Sequence, residues 1–197
     1  MTQIDYYYSL GSPFTYVAGD RLEKIAAKHG AKIAYKPCDM AHVFSQTGGL
    51  PPAKRHPSRQ EYRLQELKRL PEAAGMPLHT HPKFWPVDAT PASLAVISGD
   101  HKGADTGALS RAFLRAVWAE QQNIADPFTI ATIVGKVCGT AGGAIVADAP
   151  SQKHVFDSNT AEALARGVFG APFYIVGEER FWGQDRLEYL DRHLASL

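Results

Sequence analysis

Apolar positions along the chain follow two different periods, and the first change of period comes near residue 12. Ile4 to Tyr8 is a short block of β-branched and aromatic residues, which is typical of a strand. Beyond it, apolar residues recur at helical spacing through Tyr16, Val17, Leu22, Ile25 and Ala26. Serine suits an N-cap and proline suits the first helical turn, so a helix is predicted to begin at Ser12. Ser12 is therefore expected where a strand ends and a helix begins.

The pattern predicts a second strand and then a helical block. His29-Gly30 should end the first helix, and Ala31 to Lys36 should form a strand parallel to the first, which makes a right-handed βαβ unit. Asp39 to Gly49 and the segment after Gly143 are predicted to be irregular. Helices are predicted over Ser58 to about Leu70, Pro91 to Ser98, Thr106 to Gln121, Pro127 to about Gly139, and from Ser158 or Thr160 through Arg166.

Strands return at the end of the chain. Ala171 to Val176 and Arg180 to Trp182 are predicted to form a hairpin around the turn at Gly177 to Glu179. A final helix should follow Gly183. The Ala171-Pro172 bond is a candidate for the cis form, in which the backbone groups of Ala171 would face a ligand.

Composition and charge narrow the class of protein. The chain has 197 residues, of which 45% are hydrophobic, enough to bury one substantial core. Its 21 basic and 20 acidic residues give a net charge of +1, which does not favour nucleic acid or a membrane surface as partner. We find no basic leader and expect no run long enough to span a bilayer, so a soluble, cytoplasmic protein is predicted.

Cysteine and histidine spacing argues against redox and metal chemistry. Cys38 and Cys138 are far apart and form no Cys-x-x-Cys pair. His79 and His81 have no third ligand at a recognised spacing, so no metal site is predicted.

Ser12 carries the most distinctive chemistry. A helix amino end stabilises an anion such as a thiolate, and a serine hydroxyl can donate a hydrogen bond to one. The alternative is that Ser12 only caps a helix.

Lys54 and Arg55 lie on a loop where they could clamp a carboxylate. In the following helix we expect the core-facing residues to be Tyr62, Leu64, Leu67 and Leu70, and the solvated ones to be Arg59, Arg63, Lys68 and Arg69.

Three motifs in order carry a family resemblance across nearly the whole chain. They are Ser12-Pro13-Phe14-Thr15 followed by Tyr16, the run Val168 to Phe173, and Trp182-Gly183-Gln184-Asp185-Arg186. The chain resembles the 2-hydroxychromene-2-carboxylate isomerases and kappa-class glutathione transferases, within the DsbA-like thioredoxin superfamily. The resemblance implies an α/β, thioredoxin-like βαβ…ββα fold with an all-helical insertion. Residues 1–38 and 167–197 would form the thioredoxin-like domain, and 39–166 the insertion.

The resemblance also implies a cofactor and a site. Ser12 and Thr15 stand where DsbA-like oxidoreductases have two cysteines, and Ser12 would stabilise the thiolate of glutathione. Ala171, beside Pro172, would pair with the cysteinyl part of glutathione. Gln184 and Asp185, beside Gly183, would hold the γ-glutamyl group. The alternative for Asp185 is that it only complements the dipole of the last helix.

The substrate implied by the resemblance is an unsaturated aromatic carboxylate. Its carboxylate would contact Lys54 or Arg55, and its apolar part would lie against Phe84 and Trp85, which core packing would explain nearly as well. The chain departs from the family on this side: Gly48 to Pro57 lacks the expected asparagine, and His79 to Asp88 matches poorly.

Several functions remain open at the level of sequence. The first is a glutathione-dependent isomerase. The second is a kappa-like glutathione transferase or peroxidase, which would consume the thiol. The third is a cysteine-less thioredoxin-like binding module without turnover, and a disulfide oxidoreductase ranks last. The resemblance further implies a homodimer.

Overall fold

The structure, a computed structural model, describes residues 1–197. Its sheet is built around β1, Gln3–Tyr8. β1 pairs in parallel with β2, Lys32–Pro37, and antiparallel with β3, Phe173–Val176. β3 in turn pairs antiparallel with β4, Glu179–Trp182, so the sheet order is β2-β1-β3-β4. The predicted βαβ and ββα units are therefore confirmed, and the two ends of the chain meet in one sheet.

Ten helices surround the sheet. Residues 39–166 contain helices and connecting loops but no strand. The helices are α1 Pro13–Ala18, α2 Arg21–His29, α3 Met40–Thr47, α4 Pro57–Ala73, α5 Thr90–His101, α6 Thr106–Trp118, α7 Pro127–Cys138, α8 Gly142–Asp148, α9 Lys153–Ala165 and α10 Leu187–Leu194. Short 3-10 turns lie at Pro52–Lys54, Gly139–Ala141, Ala149–Gln152 and Gln184–Arg186.

The first predicted helix is divided in two. Ser12 is the N-cap as expected, but the chain leaves helical geometry at Gly19, whose φ is 62°. That conformation strains any residue with a Cβ, so the glycine ends α1 and lets α2 start in a new direction at Arg21. The apolar period continues across this break, because both helices bury their faces against the same core.

Two segments predicted to be irregular are helical. Asp39 caps α3, since its Oδ1 accepts hydrogen bonds from the N–H groups of Ala41 and His42 at 2.9 and 3.0 Å. The segment after Gly143 lies in α8, which packs on α7: a Cβ added at Gly142 would lie 3.1 Å from the Gly135 Cα. The lack of a side chain at Gly142 thus allows a close helix contact that local propensity does not predict.

One hydrophobic cluster connects the sheet with the helical block. It contains 30 buried residues, among them Tyr6 from β1, Leu22 from α2 and Trp118 from α6. The Tyr6 ring stacks on Tyr8 and Tyr174, with centroids 4.4 and 5.2 Å apart. Residues 39–166 therefore share a core with the two flanking segments.

An apolar helical region, Pro127–Ala165, corrects the expectation that no run could span a bilayer. By length and composition it meets that criterion. In the fold it is divided, because α7 ends at Gly139, where φ is 57°, and α8 packs against α7. Ile130, Val134 and Ile145 from this region lie in the common core.

A pH-dependent contact links α10 to α2. The Asp191 carboxylate accepts hydrogen bonds from Lys28 Nζ at 2.8 Å and His29 Nε2 at 2.6 Å, which lowers its pKa below 3.8. Asp191→Asn should therefore lower the melting temperature at neutral pH. Because the pKa falls on folding, this contribution is full above pH 3.8 and is lost as the pH falls through the native pKa. Thermal melts of both proteins across this range test it, and an equal gap at every pH would contradict it.

Candidate functional site

Ser12 lies at the junction predicted from the sequence. The chain leaves β1 at Tyr8 and turns, with the Ser12 N–H donating to the Ser9 carbonyl at 3.1 Å. The Ser12 side chain then caps α1, because its Oγ accepts a hydrogen bond from the Thr15 N–H at 3.2 Å. The hydroxyl is half-buried at the positive end of the helix dipole. This position favours a nearby anion.

The C-terminal half of the chain brings Ala171 to Ser12. Ser12 Oγ lies 3.5 Å from the Ala171 carbonyl oxygen, at the long limit of a hydrogen bond. The Ala171-Pro172 peptide is cis, as predicted. The Ala171 N–H donates to no protein group, whereas the Pro172 carbonyl accepts from the Gly183 N–H at 2.9 Å. The Ser12 proton is thus held only weakly and can turn to a better acceptor.

A cavity of about 460 Å³ opens beside these two residues. Ser12 and Ala171 lie in its lining, together with Trp85, Phe169 and Trp182. Phe169 and Trp182 contact each other edge to face, with ring centroids 4.9 Å apart. Gly170 allows this arrangement, because a Cβ there would lie 2.4 Å from Trp182 Nε1. The cavity has aromatic walls and is large enough for a small organic ligand.

Three arginines line the same cavity: Arg55, Arg59 and Arg63. No carboxylate lies in the lining, and none of the three forms an ion pair within the protein. Arg55 Nε donates to the Leu50 carbonyl at 2.7 Å, which orients the side chain. The cavity therefore combines apolar walls with an unneutralised positive charge, which suits an anionic ligand.

The burial of Arg63 corrects the expected orientation of α4. Its side chain is only 9% exposed, whereas Tyr62, which was expected in the core, is 57% exposed. The buried stripe of this helix is Arg63, Leu67 and Pro71, because that face packs toward the cavity and the core. Arg59 and Arg63 are thus cavity residues that the sequence analysis assigned to solvent. The spacing of Arg55, Arg59 and Arg63, four residues apart, was the available signal.

Trp85 connects the arginine cluster to the Ser12 loop. The Arg63 guanidinium lies over the Trp85 ring at 4.6 Å, and the Trp85 indole N–H donates to the Gly11 carbonyl at 3.0 Å. The ring also packs on Trp118, with centroids 5.6 Å apart. A cation over an aromatic face is stabilised by the ring quadrupole. Trp85 therefore holds Arg63 and the residue before Ser12 at a defined separation.

The structure brings two of the four predicted substrate residues to the cavity. Arg55 and Trp85 line it, and Lys54 and Phe84 do not. Lys54 is exposed on a 3-10 turn. Phe84 is 38% exposed, with Lys83 Nζ 5.1 Å from its ring. Of the two basic residues predicted to contact the substrate carboxylate, only Arg55 lines the cavity, and its role stays a prediction.

The residues predicted for the γ-glutamyl group follow β4. Gln184 is buried, and its Oε1 accepts a hydrogen bond from the Arg21 side chain. Asp185 is exposed and pairs with Arg186 at 2.6 Å. Gly183 adopts a φ of 109°, which a side chain would strain. These residues pack near α1 but lie outside the lining of the cavity, so the assignment stays a prediction.

Neither cysteine reaches the cavity. Burial raises the pKa of the Cys38 thiol to about 12, and the Cys138 pKa is also raised by burial. Redox-active thiols have lowered pKa values instead. No three His, Cys, Asp or Glu side chains are grouped as a metal ion would require, and His79 and His81 are exposed.

Comparison with known proteins agrees with the resemblance in the three motifs. The family described as "DSBA-like thioredoxin domain" matches residues 3–195. A 2-hydroxychromene-2-carboxylate isomerase from Pseudomonas sp. (strain C18) is 30% identical, with 98% of this chain and 90% of that protein covered. A protein of the same name from Pseudomonas putida is 29% identical, with 98% and 95% covered.

Solved structures agree with the sequence comparison. The structure of a 2-hydroxychromene-2-carboxylate isomerase superposes with a TM-score of 0.82 at 26% identity, and the match covers 98% of this chain and 95% of that one. Both the fold and the sequence therefore match over nearly the full length of these relatives. On this evidence the chain belongs to the DsbA-like thioredoxin family, in the group of the 2-hydroxychromene-2-carboxylate isomerases.

Proposed function

We propose that this protein is a glutathione-dependent isomerase of unsaturated carboxylates, in which Ser12 holds the glutathione thiolate. The observation that carries the proposal is the opening of the Ser12 hydroxyl, at a helix amino end, into the cavity that Arg55 lines. An anion-stabilising hydroxyl and a carboxylate-binding cation in one cavity suit this chemistry. The relatives that bear the isomerase name support the reaction type.

The residues around Ser12 fit glutathione. A thiolate beside Ser12 would accept a hydrogen bond from the hydroxyl, which in the structure donates to the Ala171 carbonyl at 3.5 Å. The partnerless N–H of Ala171 could pair with the peptide backbone of the cofactor. Asp185, exposed next to this region, could pair with the γ-glutamyl ammonium. Each of these groups is available without breaking a strong contact, except the Asp185 pair with Arg186.

In the proposed reaction, glutathione supplies the nucleophile, and residues of the protein stabilise it and bind the substrate. When bound, glutathione supplies a thiolate that adds reversibly to a conjugated double bond, so that a single bond can rotate. Ser12 and the amino end of α1 would keep that sulfur ionised at neutral pH. Arg55, fixed by the Leu50 carbonyl, would hold the substrate carboxylate, and its charge would also favour electron density moving toward that end of the substrate. The aromatic side chains of the walls would pack against the apolar part of the substrate.

The ultraviolet difference spectrum of glutathione thiolate tests the proposal most directly. With the native protein at neutral pH, a thiolate band should appear on addition of glutathione, and with Ser12→Ala it should fade. A band of equal size in both proteins would remove Ser12 from the mechanism. Absence of a band in both would favour a binding module that lacks turnover.

The amount of reduced glutathione left after many turnovers distinguishes an isomerase from a transferase. Over many turnovers, total reduced glutathione should stay constant, because addition is followed by elimination. Loss of one glutathione for each product formed would indicate transfer. Disulfide reductase activity toward insulin would contradict both.

Asp185→Asn should weaken glutathione binding and leave the thiolate site intact. The carboxylate is the predicted partner of the γ-glutamyl ammonium, so its removal should raise the dissociation constant about 10-fold with little change in turnover at saturation. Titration calorimetry measures the affinity. The matched control is Glu188→Gln, which removes the negative charge of an exposed residue about one turn away. Equal affinity in all three proteins would refute the γ-glutamyl assignment.

A further inference from the structure

The positive charge in the cavity exceeds what one substrate carboxylate requires. Arg55, Arg59 and Arg63 all line it, and no protein carboxylate neutralises them. Arg59 and Arg63 are one turn apart on α4, so their side chains are neighbours on the same face. A single carboxylate can occupy one guanidinium fork in a bidentate pair. Arg55 alone would satisfy the carboxylate of the proposed isomerase substrate.

Arg63 has the features of a built anion site. Its side chain is 9% exposed, its Nη2 is buried, and no protein atom accepts a hydrogen bond from that nitrogen. Trp85 covers one face of the guanidinium at 4.6 Å and so fixes its plane. Burying a charge without a partner destabilises the folded protein. Deprotonation of the group or binding of an anion beside it removes this cost.

The lowered pKa values of Arg63 and Arg55 also indicate a site that favours an anion. The pKa of Arg63 is lowered to about 10, first by burial and then by the charge of Arg55. The pKa of Arg55 is lowered by burial and by Arg59. The three cations thus repel one another in a partly dry cavity, and each anionic group that enters lowers this repulsion.

We propose that the substrate is an unsaturated dicarboxylate, with one carboxylate at Arg55 and the second held by Arg63 and Arg59. This inference rests on the proposed function, since it names the substrate class for the same cavity. The diene or enone between the two carboxylates would lie against the aromatic walls, within reach of Ser12. Arg63 is then the residue that distinguishes a dicarboxylate from a monocarboxylate.

A matched pair of probes tests the number of carboxylates. trans,trans-Muconate and sorbate share the same six-carbon diene and differ in having two carboxylates or one. Titration calorimetry without glutathione should give muconate an affinity at least about 10-fold higher, the scale of one charge-assisted pair. In Arg63→Met this ratio should fall to within about twofold, with sorbate binding little changed. Lys68→Met, which removes a cation from the exposed side of α4, should keep the full ratio.

The outcomes separate this inference from the proposed function. Equal affinity for the two probes in the native protein, or a ratio that Arg63→Met leaves intact, overturns the dicarboxylate. Loss of glutathione affinity in Arg63→Met with the ratio unchanged would also overturn it and assign the site to a carboxylate of glutathione.

A preserved muconate preference in a protein that gives no thiolate band rejects the cofactor and leaves the anion site. If Arg63→Met does not fold, Arg59→Met gives the same test, because Arg59 is exposed.

Discussion

Replacing Ser12 by alanine is expected to lower turnover about 10²-fold or more, the usual effect of losing one donor to a developing or stabilised anion. The Ser12 hydroxyl is the side-chain donor at the amino end of α1, and its only acceptor in the protein is the Ala171 carbonyl at 3.5 Å. The helix dipole remains in the variant, so thiolate stabilisation should be reduced and not abolished. Initial rates at saturating glutathione measure this effect.

Two further variants separate chemistry from capping. Ser12→Ala also removes the N-cap contact to the Thr15 N–H, which is worth about 1 kcal/mol of stability. Ser12→Asp restores a cap but places a negative charge beside the thiolate, so stability should recover while activity does not. Thr15→Val removes the neighbouring buried hydroxyl, which has no partner, and should leave the rate within about twofold. Recovery of activity in Ser12→Asp would show that only the cap matters.

Replacing Trp85 by alanine should have the largest effect on stability among the cavity residues. We expect a loss of about 2–3 kcal/mol, below the range for a fully buried tryptophan because this ring is half-buried. The variant removes the face that supports Arg63, the ring contact with Trp118 and the hydrogen bond to the Gly11 carbonyl. Urea unfolding measures the change as a shift in midpoint at constant slope.

Neighbouring substitutions identify which Trp85 contact matters. Trp85→Phe keeps an aromatic face for Arg63 and loses the indole N–H, so about 1 kcal/mol should be lost. Phe84→Ala changes the adjacent, more exposed ring outside the cavity and should stay within about 0.5 kcal/mol of the native protein. If Phe84→Ala were as destabilising as Trp85→Ala, the central role given to Trp85 in the cavity would be wrong.

Local sequence signals predicted several elements that carry their own start and stop information, although α3 was missed despite its cap at Asp39. Ser12-Pro13 marks the start of α1, Gly30 ends α2, and Gly177 marks the turn between β3 and β4. Such signals depend on backbone conformations that a few neighbouring residues determine. Segments without them were predicted less well. The segment around α8 is helical because Gly142 packs on Gly135, a contact that no local propensity encodes.

Ser12 and Arg55, both predicted as site residues, line the cavity, whereas Arg59 and Arg63 were missed. Arg59 and Arg63 were assigned to solvent because charged side chains on a helix usually face water. The leucines of α4 are spread widely enough that two different faces could pack inward, and tertiary packing selected the face with Arg63 and Leu67. A buried guanidinium over a tryptophan is an exception that requires knowledge of which ring lies opposite.

Taken alone, the sequence determined the order of the four strands along the chain, the N-cap at Ser12 and the absence of a cysteine pair at positions 12 and 15, because these are properties of adjacent residues. Only the tertiary structure decided which distant residues meet. Ser12 and Ala171 are 159 residues apart and come within 3.5 Å because β1 and β3 pair in the sheet. The arginine cluster likewise exists because α4 packs one particular face toward Trp85. Long-range packing, and not local preference, therefore determines which ligand the cavity can hold.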